Sequence, residues 1–454
     1  MKKVVWIALA VIAAAGIYFG ARKQVAEEEP SKAGKKVVVV INNGPKETNK
    51  AEVKKLKDTI ARFNKVYPEI EIRWTDRSYS PDSFATSMAG GTAEDVSSVF
   101  ATESYIADRG YALDLTELIN NWEYKEQLNP RMLQPFTKQG RYYGFPETGY
   151  IMALAYNKRL FREAGIENPP QTWEEFVAAA KKLTDRKTGC SGFGIMGRSN
   201  FAGWGLLNWV WQAGGDFEKE RNGKWKAVFA EPEAVRAVDF VRSLRWEHDV
   251  LQRNLLVGVE ELMQSFAAGQ LGMMLVTSTT YNIPLMVNQY KMKLEDVGLA
   301  MLPAGPAGRA NQLGGSFAVI NPTSPKEVQE AAFKWIAWRA LQGYDPRQIQ
   351  NLADLNRKQG LVTGTSSVPI MVGEIAKKAD EVIDKNRDVF VVFDDAVEAS
   401  KYIHLEPPFF CQQLYSEYLG PVIEAVLTNK NAAPKQSLAK AAANFESRFL
   451  AQVK

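Results

Sequence analysis

The stretch that most restricts the fold is Val37–Ile41, VVVVI, taken together with the segment that runs on to Trp74. A short β-branched run of this kind makes a strand buried on both faces, as in parallel sheets. After the loop NNGPKETN, residues Val53, Leu56, Ile60, Phe63 and Tyr67 recur at spacings of three and four, which predicts one apolar helical stripe. Pro68 ends that helix, and Ile70, Ile72 and Trp74 alternate as a returning strand. Strand, helix and strand form a βαβ unit with a right-handed crossover. A second unit is expected through PDSFATSMAGG and the strand Val96–Phe100.

The same alternation continues. Thr172 and Glu175 have capping-box spacing ahead of Phe176, Ala180 and Leu183. Helices are expected at about 232–247, 260–268 and 325–341, the last opened by a Ser324 cap, Pro325 and Glu327. Short strands are expected at 271–276, 297–301 and 317–320, and the chain past Val389 reads as mostly helical. This is an α/β protein with covered sheets. At 454 residues it exceeds one ordinary core and implies about two or three domains.

The N-terminus, MKKVVWIALAVIAAAGIYFGARK, places two lysines before an apolar run from Val4 to Ala21. Residues 1–23 are expected to be a secretory signal, with Ala13-x-Ala15 as a cleavage site, or an uncleaved membrane anchor. Residues 24–36 read as a polar linker. The two cysteines, Cys190 and Cys411, make no disulfide framework, and two buried thiols are the simpler expectation than one bridge. His248 and His404 have no partners at zinc spacing, so no metal site is expected. A net charge of +4, from 56 basic and 52 acidic residues, lacks the concentrated basic face of a nucleic-acid binder.

Motifs for catalysis are missing: no G-x-S-x-G elbow, no phosphate loop, no dinucleotide fingerprint. Asp394 and Asp395 are adjacent, and neighbours on a helix point about 100° apart, so they cannot flank one bond from one face. No enzyme activity and no cofactor are expected, although remote carboxylates meeting in the fold leave an extracellular carbohydrate-active enzyme open.

GRYYGFPETGYIMALAYNKRLFREAGIENPPQTWEEF resembles the hallmark segment of the extracellular solute-binding proteins of ABC importers. It is most similar to the carbohydrate-binding family that includes maltose-binding protein. The match lies in Gly-x-x-Tyr-Gly-x-Pro, a strand ending Tyr-Asn, then Ala-Gly, Pro-Pro and Thr-Trp-x-Glu. Later segments follow in family order: QAGGDF, SFAAGQLGMMLV, GGSFAVINPTSPKEVQEAAFKWIAW, SSVPI and HLEPPFFCQQLYSEYLGPVIEAVL. The resemblance implies a two-lobed, periplasmic-binding-protein-like fold of type II, with ligand in the cleft between lobes. The lobes are expected at 37–147 with 278–325, and at 148–277 with 326–454. It also implies an extracytoplasmic monomer, in the periplasm or on the outer face of the cell membrane. Its partners would be a small-molecule carbohydrate ligand and the transmembrane subunits of an ABC permease. Another polar solute, such as a glycerol phosphate ester, is the alternative ligand.

Cleft residues in open α/β sheets lie at the carboxyl ends of strands, which nominates Asn43 and Glu103, against a turn and a helix cap respectively. By resemblance Tyr150 faces the cleft where the lobes join, with a ring for sugar C–H faces and a hydroxyl for sugar hydroxyls. NFAGWGLLNWVWQAGGD offers Trp204, Trp209 and Trp211 for stacking, with Trp204 and Trp211 preferred over a purely core stripe, and Asp216 for a hydroxyl. Many relatives carry a Gly and a stacking Trp where this chain has Thr277–Tyr281; Tyr281 is the substitute ring. Gly315 and Ser316 resemble the glycine-rich cleft segment, and His404 falls near a position where relatives often have Arg.

Overall fold

A computed structural model describes residues 36–276 and 279–453. The expected signal or anchor, 1–23, lies outside the described residues. Among those described, no helix is long and apolar enough to cross a membrane.

β1 (Val37–Ile41), α1 (Lys50–Val66) and β2 (Ile70–Trp74) form the βαβ unit, with β1 and β2 parallel. Asn49 starts α1 by accepting the Glu52 N–H. Val53 and Phe63 are buried, while Leu56, Ile60 and Tyr67 sit half-buried at the rim. α2 (Pro81–Ala89) leads to β3 (Val96–Phe100), which lies beside β1. β4 (Phe145–Ile151) then runs through the buried Met152 directly into β5 (Ala153–Asn157). That single residue carries the chain from one sheet to the other.

The second lobe continues with α3 (Trp173–Leu183), β6 (Ser191–Gly194), α4 (Ser199–Gln212), α5 (Pro232–Trp246), α6 (Val259–Ala267), β7 (Leu271–Val276) and β8 (Val297–Ala300). Thr172 caps α3 by accepting the Glu175 N–H at 3.2 Å, and the Glu175 carboxylate reaches back to the Gln171 N–H at 2.7 Å, one residue further than a standard capping box. The chain returns to the first sheet as β9 (Asn311–Ile320), followed by α7 (Lys326–Gln342), α8 (Pro346–Gln359), α9 (Gly373–Asp384) and β10 (Ile403–His404). The Ser324 hydroxyl donates to Asp95 instead of capping α7. α10 (Gly420–Thr428) and α11 (Pro434–Arg448) pack back on the second lobe, against α4 and α5.

The first sheet has the order β2–β1–β3–β9–β4, with β10 beside the start of β9. The second has the order β8–β5–β7–β6. Two boundaries therefore differ from expectation. Residues 297–300 pair antiparallel with β5 and belong to the second sheet, not to the first lobe. α7 packs on β1, and its Trp335 meets Phe63 edge-on at 5.0 Å, so it belongs to the first lobe. A short apolar run such as VGLA carries no mark of which sheet it will join. Phe63 and Trp335 are fully buried, and each large side chain of this kind contributes roughly 1.5–3 kcal/mol of burial free energy. α8 and α9 add a small wing around Ile349, Ala353, Ala379, Val389 and Phe390. Cys190 and Cys411 are buried and are not joined by a disulfide.

Candidate functional site

The site forms where β4, the first half of β9 and β10 meet the face of α4 that carries Trp204, Asn208 and Trp211. β4 and β9 are antiparallel, with Tyr150 opposite Gly314, Gly149 opposite Gly315 and Thr148 opposite Ser316. A Cβ at Gly314 would fall inside contact distance of the Tyr150 ring carbons and hydroxyl, and one at Gly315 would strike the Thr148 carbonyl. Gly314 thus makes room for the Tyr150 ring against the neighbouring strand, and Gly315 for the close approach of the Thr148 carbonyl. Thr148 and Ser316 share a hydroxyl hydrogen bond of 2.9 Å.

Across from them, Trp204 and Asn208 lie one turn apart on α4 and face the same way. The Trp204 indole N–H donates to Glu406 Oε1 at 3.2 Å. Gln312 Nε2 donates to the same oxygen at 2.8 Å, and the Tyr415 hydroxyl donates to Oε2 at 2.5 Å. Asn208 Oδ1 accepts the Gln312 backbone N–H at 2.9 Å, and its amide donates to Gln312 Oε1 at 3.2 Å. Asn311 adds a bond to the Met152 carbonyl at 3.0 Å. A continuous polar network therefore links α4 to the strand crossings. Burial pushes the Glu406 carboxyl up, against the pull of its three donors. Burial, and then the nearby Glu406 charge, raises the Tyr150 phenol.

His404 stacks on Trp211 at 5.1 Å and 20°, and burial lowers its pKa, so it is neutral at pH 7. Trp211 is 6% exposed, with its N–H on Asp216 Oδ1 at 3.3 Å. Asp216 also accepts the Phe217 N–H and pairs with Lys219. Trp209 points the other way, into a cluster with Trp173, Phe176 and Phe193. The structure thus gathers Tyr150, Trp204, Trp211, Asp216, Gly315, Ser316 and His404 around the start of β9. It leaves two candidates in other settings. Asn43 holds its own loop at φ +56°, accepting the Tyr79 N–H. Tyr281 is 52% exposed and donates to Glu260 on α6. The side chain of Glu103 lies outside the described residues.

Glu406, Gln312, Asn208 and Tyr415 were not anticipated from sequence. Asn208 carried a signal, as one polar residue inside the apolar run WGLLNWVW, since a buried amide must find partners. Glu406, a lone charge in HLEPPFF, carried another. A separate concavity of about 930 Å³ lies along β4 between α7 and the α8–α9 wing; it includes Tyr150 but not Trp204, His404 or Glu406. Tyr105, on the turn 101–106 of the first lobe, stacks on Phe410 at 6.2 Å, joining the lobes beside the Glu406 segment.

That segment rests on a second buried acid. Glu218 is 5% exposed; its Oε2 accepts the Phe409 N–H at 3.1 Å, and its Oε1 has no partner. Burial lifts its pKa well above the usual carboxylate range. The folded state therefore binds a proton that the unfolded state releases near pH 4.3, so this group costs stability as pH rises above that value toward its folded pKa. Glu218→Gln is expected to raise Tm at pH 8 by roughly 2–4 °C, the effect of about 1 kcal/mol in a domain of this size, and to leave it unchanged at pH 4. Thermal melts of both proteins at the two pH values check this; an equal shift at both would remove the ionisation argument.

Two α/β lobes, each assembled from separate stretches of chain and joined by crossing strands beside a polar and aromatic site, define a two-lobed solute-binding protein. The family model for bacterial extracellular solute-binding proteins matches residues 46–342, and the chain belongs to that family. A putative binding protein of Brucella abortus (strain 2308) is 28% identical over 250 residues, 54% of this chain and 58% of that protein. The chain therefore spans just over half the length of such relatives. A multiple sugar-binding protein of Streptococcus mutans is 22% identical over 205 residues, 44% of this chain and 46% of that one. Among solved structures, a solute-binding protein of Thermotoga lettingae bound with alpha-D-tagatose superposes with a TM-score of 0.70 at 22% identity, over 91% of this chain and 99% of the other. A maltose-bound protein of T. maritima gives 0.69 at 25% identity, over 90% and 99%. A Mycobacterium tuberculosis protein in complex with glycerophosphocholine gives 0.69 at 18%, over 91% and 98%. Proteins of this family act outside the cytoplasm.

Proposed function

We propose that the protein is the substrate-binding component of an ABC importer. It captures a sugar or oligosaccharide between its lobes and delivers it to a membrane permease, without catalysing a reaction. The observation that carries this reading is the placement of the Tyr150 ring on the Gly314 strand, near enough to Glu406 to feel its charge, with the half-exposed Trp204 bonded to that same carboxylate. The Tyr150 hydroxyl has no hydrogen-bond partner among the described residues, which leaves it for a ligand hydroxyl. Aromatic faces for sugar C–H groups, with a few polar groups for hydroxyls, are what carbohydrate recognition needs. Hinge closure of the lobes around ligand would present the closed form to the permease. The N-terminal segment, as signal or anchor, would place the protein on the outer side of the membrane.

A ligand present at a hundred times its Kd stabilises the folded state by about 2.7 kcal/mol. A thermal-shift screen over mono- and oligosaccharides is therefore expected to show a Tm rise of several degrees with at least one of them. A shift with peptides or phosphate esters alone would defeat the carbohydrate assignment. Product formation from a polysaccharide, abolished by a carboxylate substitution, would defeat the binding-only assignment.

A further inference from the structure

Glu406 is set in an unusual electrostatic position. All three of its donors, Trp204, Gln312 and Tyr415, are neutral. Among the described residues no Lys, Arg or His pairs with it, and no cation is among the groups that shift its ionisation. Three hydrogen bonds to one carboxylate favour the anion. A half-buried anion without a counter-charge nevertheless carries a desolvation cost.

Its geometry leaves room for that charge to come from outside. Oε1 is used twice, whereas Oε2 receives only the Tyr415 hydroxyl and keeps acceptor capacity. The residue is half-buried, not enclosed. The indole of Trp204, pinned by its N–H to the same carboxylate, is also half-exposed, and its ring face attracts cations. The neighbouring His404 has a lowered pKa, and Asp216 behind Trp211 is already paired with Lys219, so neither supplies a counter-charge to Glu406. This cluster repels a phosphate. A neutral hydroxyl can donate one hydrogen bond to Glu406 but cannot offset its charge.

Resting on the sugar-binding proposal, we infer that the ligand is an amino sugar, whose protonated amine is received by the free side of the Glu406 carboxylate beside Trp204. Tyr150 then takes a hydroxyl of the same or the adjoining ring.

The test uses matched pairs that differ only in the amine: glucosamine with glucose, and the β-1,4-linked glucosamine dimer with both its N-acetylated form and cellobiose. Titration calorimetry at pH 6.5 on the full chain is expected to give the amine member at least tenfold the affinity of its neutral counterpart. Glu406→Gln, which keeps the shape and an acceptor oxygen for Trp204 and Gln312 while its amide nitrogen donates to the Tyr415 hydroxyl oxygen, removes the charge and is expected to bring that ratio near one. Equal or tighter binding of the neutral member by the wild type overturns the inference while leaving the sugar reading intact. Tighter binding of sn-glycerol 3-phosphate than of either member overturns it as well. If no sugar of either kind binds, the sugar reading fails first and takes this inference with it. The wild-type ratio alone decides the matter if the variant does not fold.

Discussion

Gly314→Ala is expected to weaken ligand binding on the order of 100-fold, which corresponds to the 2–3 kcal/mol of a hot-spot side chain. The cause is steric. The added methyl group would occupy the space of the Tyr150 ring. Tyr150 is half-buried and hydrogen-bonded to nothing described, so it can swing away at modest cost to the fold. Tm should fall by only a few degrees, because β4 and β9 keep their pairing. Tyr150→Ala alone should lose similar affinity, and the double variant should lose no more than either single one, the signature of one shared contact. Calorimetry on the three variants, with melts as the control for folding, checks this. Wild-type affinity in Gly314→Ala would show that Tyr150 is not where the ligand sits.

The second large effect is on stability. Gln312→Leu removes one of three donors to the Glu406 carboxylate and the acceptor for the Asn208 amide, both in fully buried surroundings for Asn208 and Gln312. The Asn208 amide keeps only the weak Met152 sulfur acceptor and Glu406 only two donors, and a buried polar group deprived of a good partner costs about 1–3 kcal/mol. The expected loss is about 3 kcal/mol, or roughly 6–12 °C in Tm. Gln312→Glu should be worse at pH 8, where two carboxylates would face one another, and should recover part of the loss at pH 5, where one of them takes a proton. Melts at both pH values separate the two causes. A Leu variant as stable as the wild type would mean that the network is not what holds α4 to the crossing.

Local patterns were legible and pairings between distant segments were not. The stripe from Val53 to Tyr67 became α1 because a 3.6-residue period lies within one element, and VSSVF became β3 with its expected ends because it is a short β-prone run. The position of residues 297–300 was not legible, since β5 recruits them from more than a hundred residues away. The tryptophans show the same divide. α4 is apolar around most of its circumference, so spacing could not separate Trp209, locked among aromatic rings, from Trp204, which meets an acid two hundred residues later. Gly315 and Ser316 were read by resemblance as a glycine-rich cleft segment, but the close neighbours of the two glycines, Tyr150 at Gly314 and the Thr148 carbonyl at Gly315, appear only once the register of β4 on β9 is known.

β9 also bears on the order in which the chain can fold. β3 ends with Phe100 facing Ser316, so the middle of the first sheet waits for a strand made only after all strands of the second sheet. Contacts so remote along the chain close slowly, because loop entropy must be lost before they form. A nascent chain that has not reached β9 thus lacks the strand that would complete its first lobe. Its first sheet can be completed only once about residue 320 has been made, because β9 is the strand that joins β3 to β4.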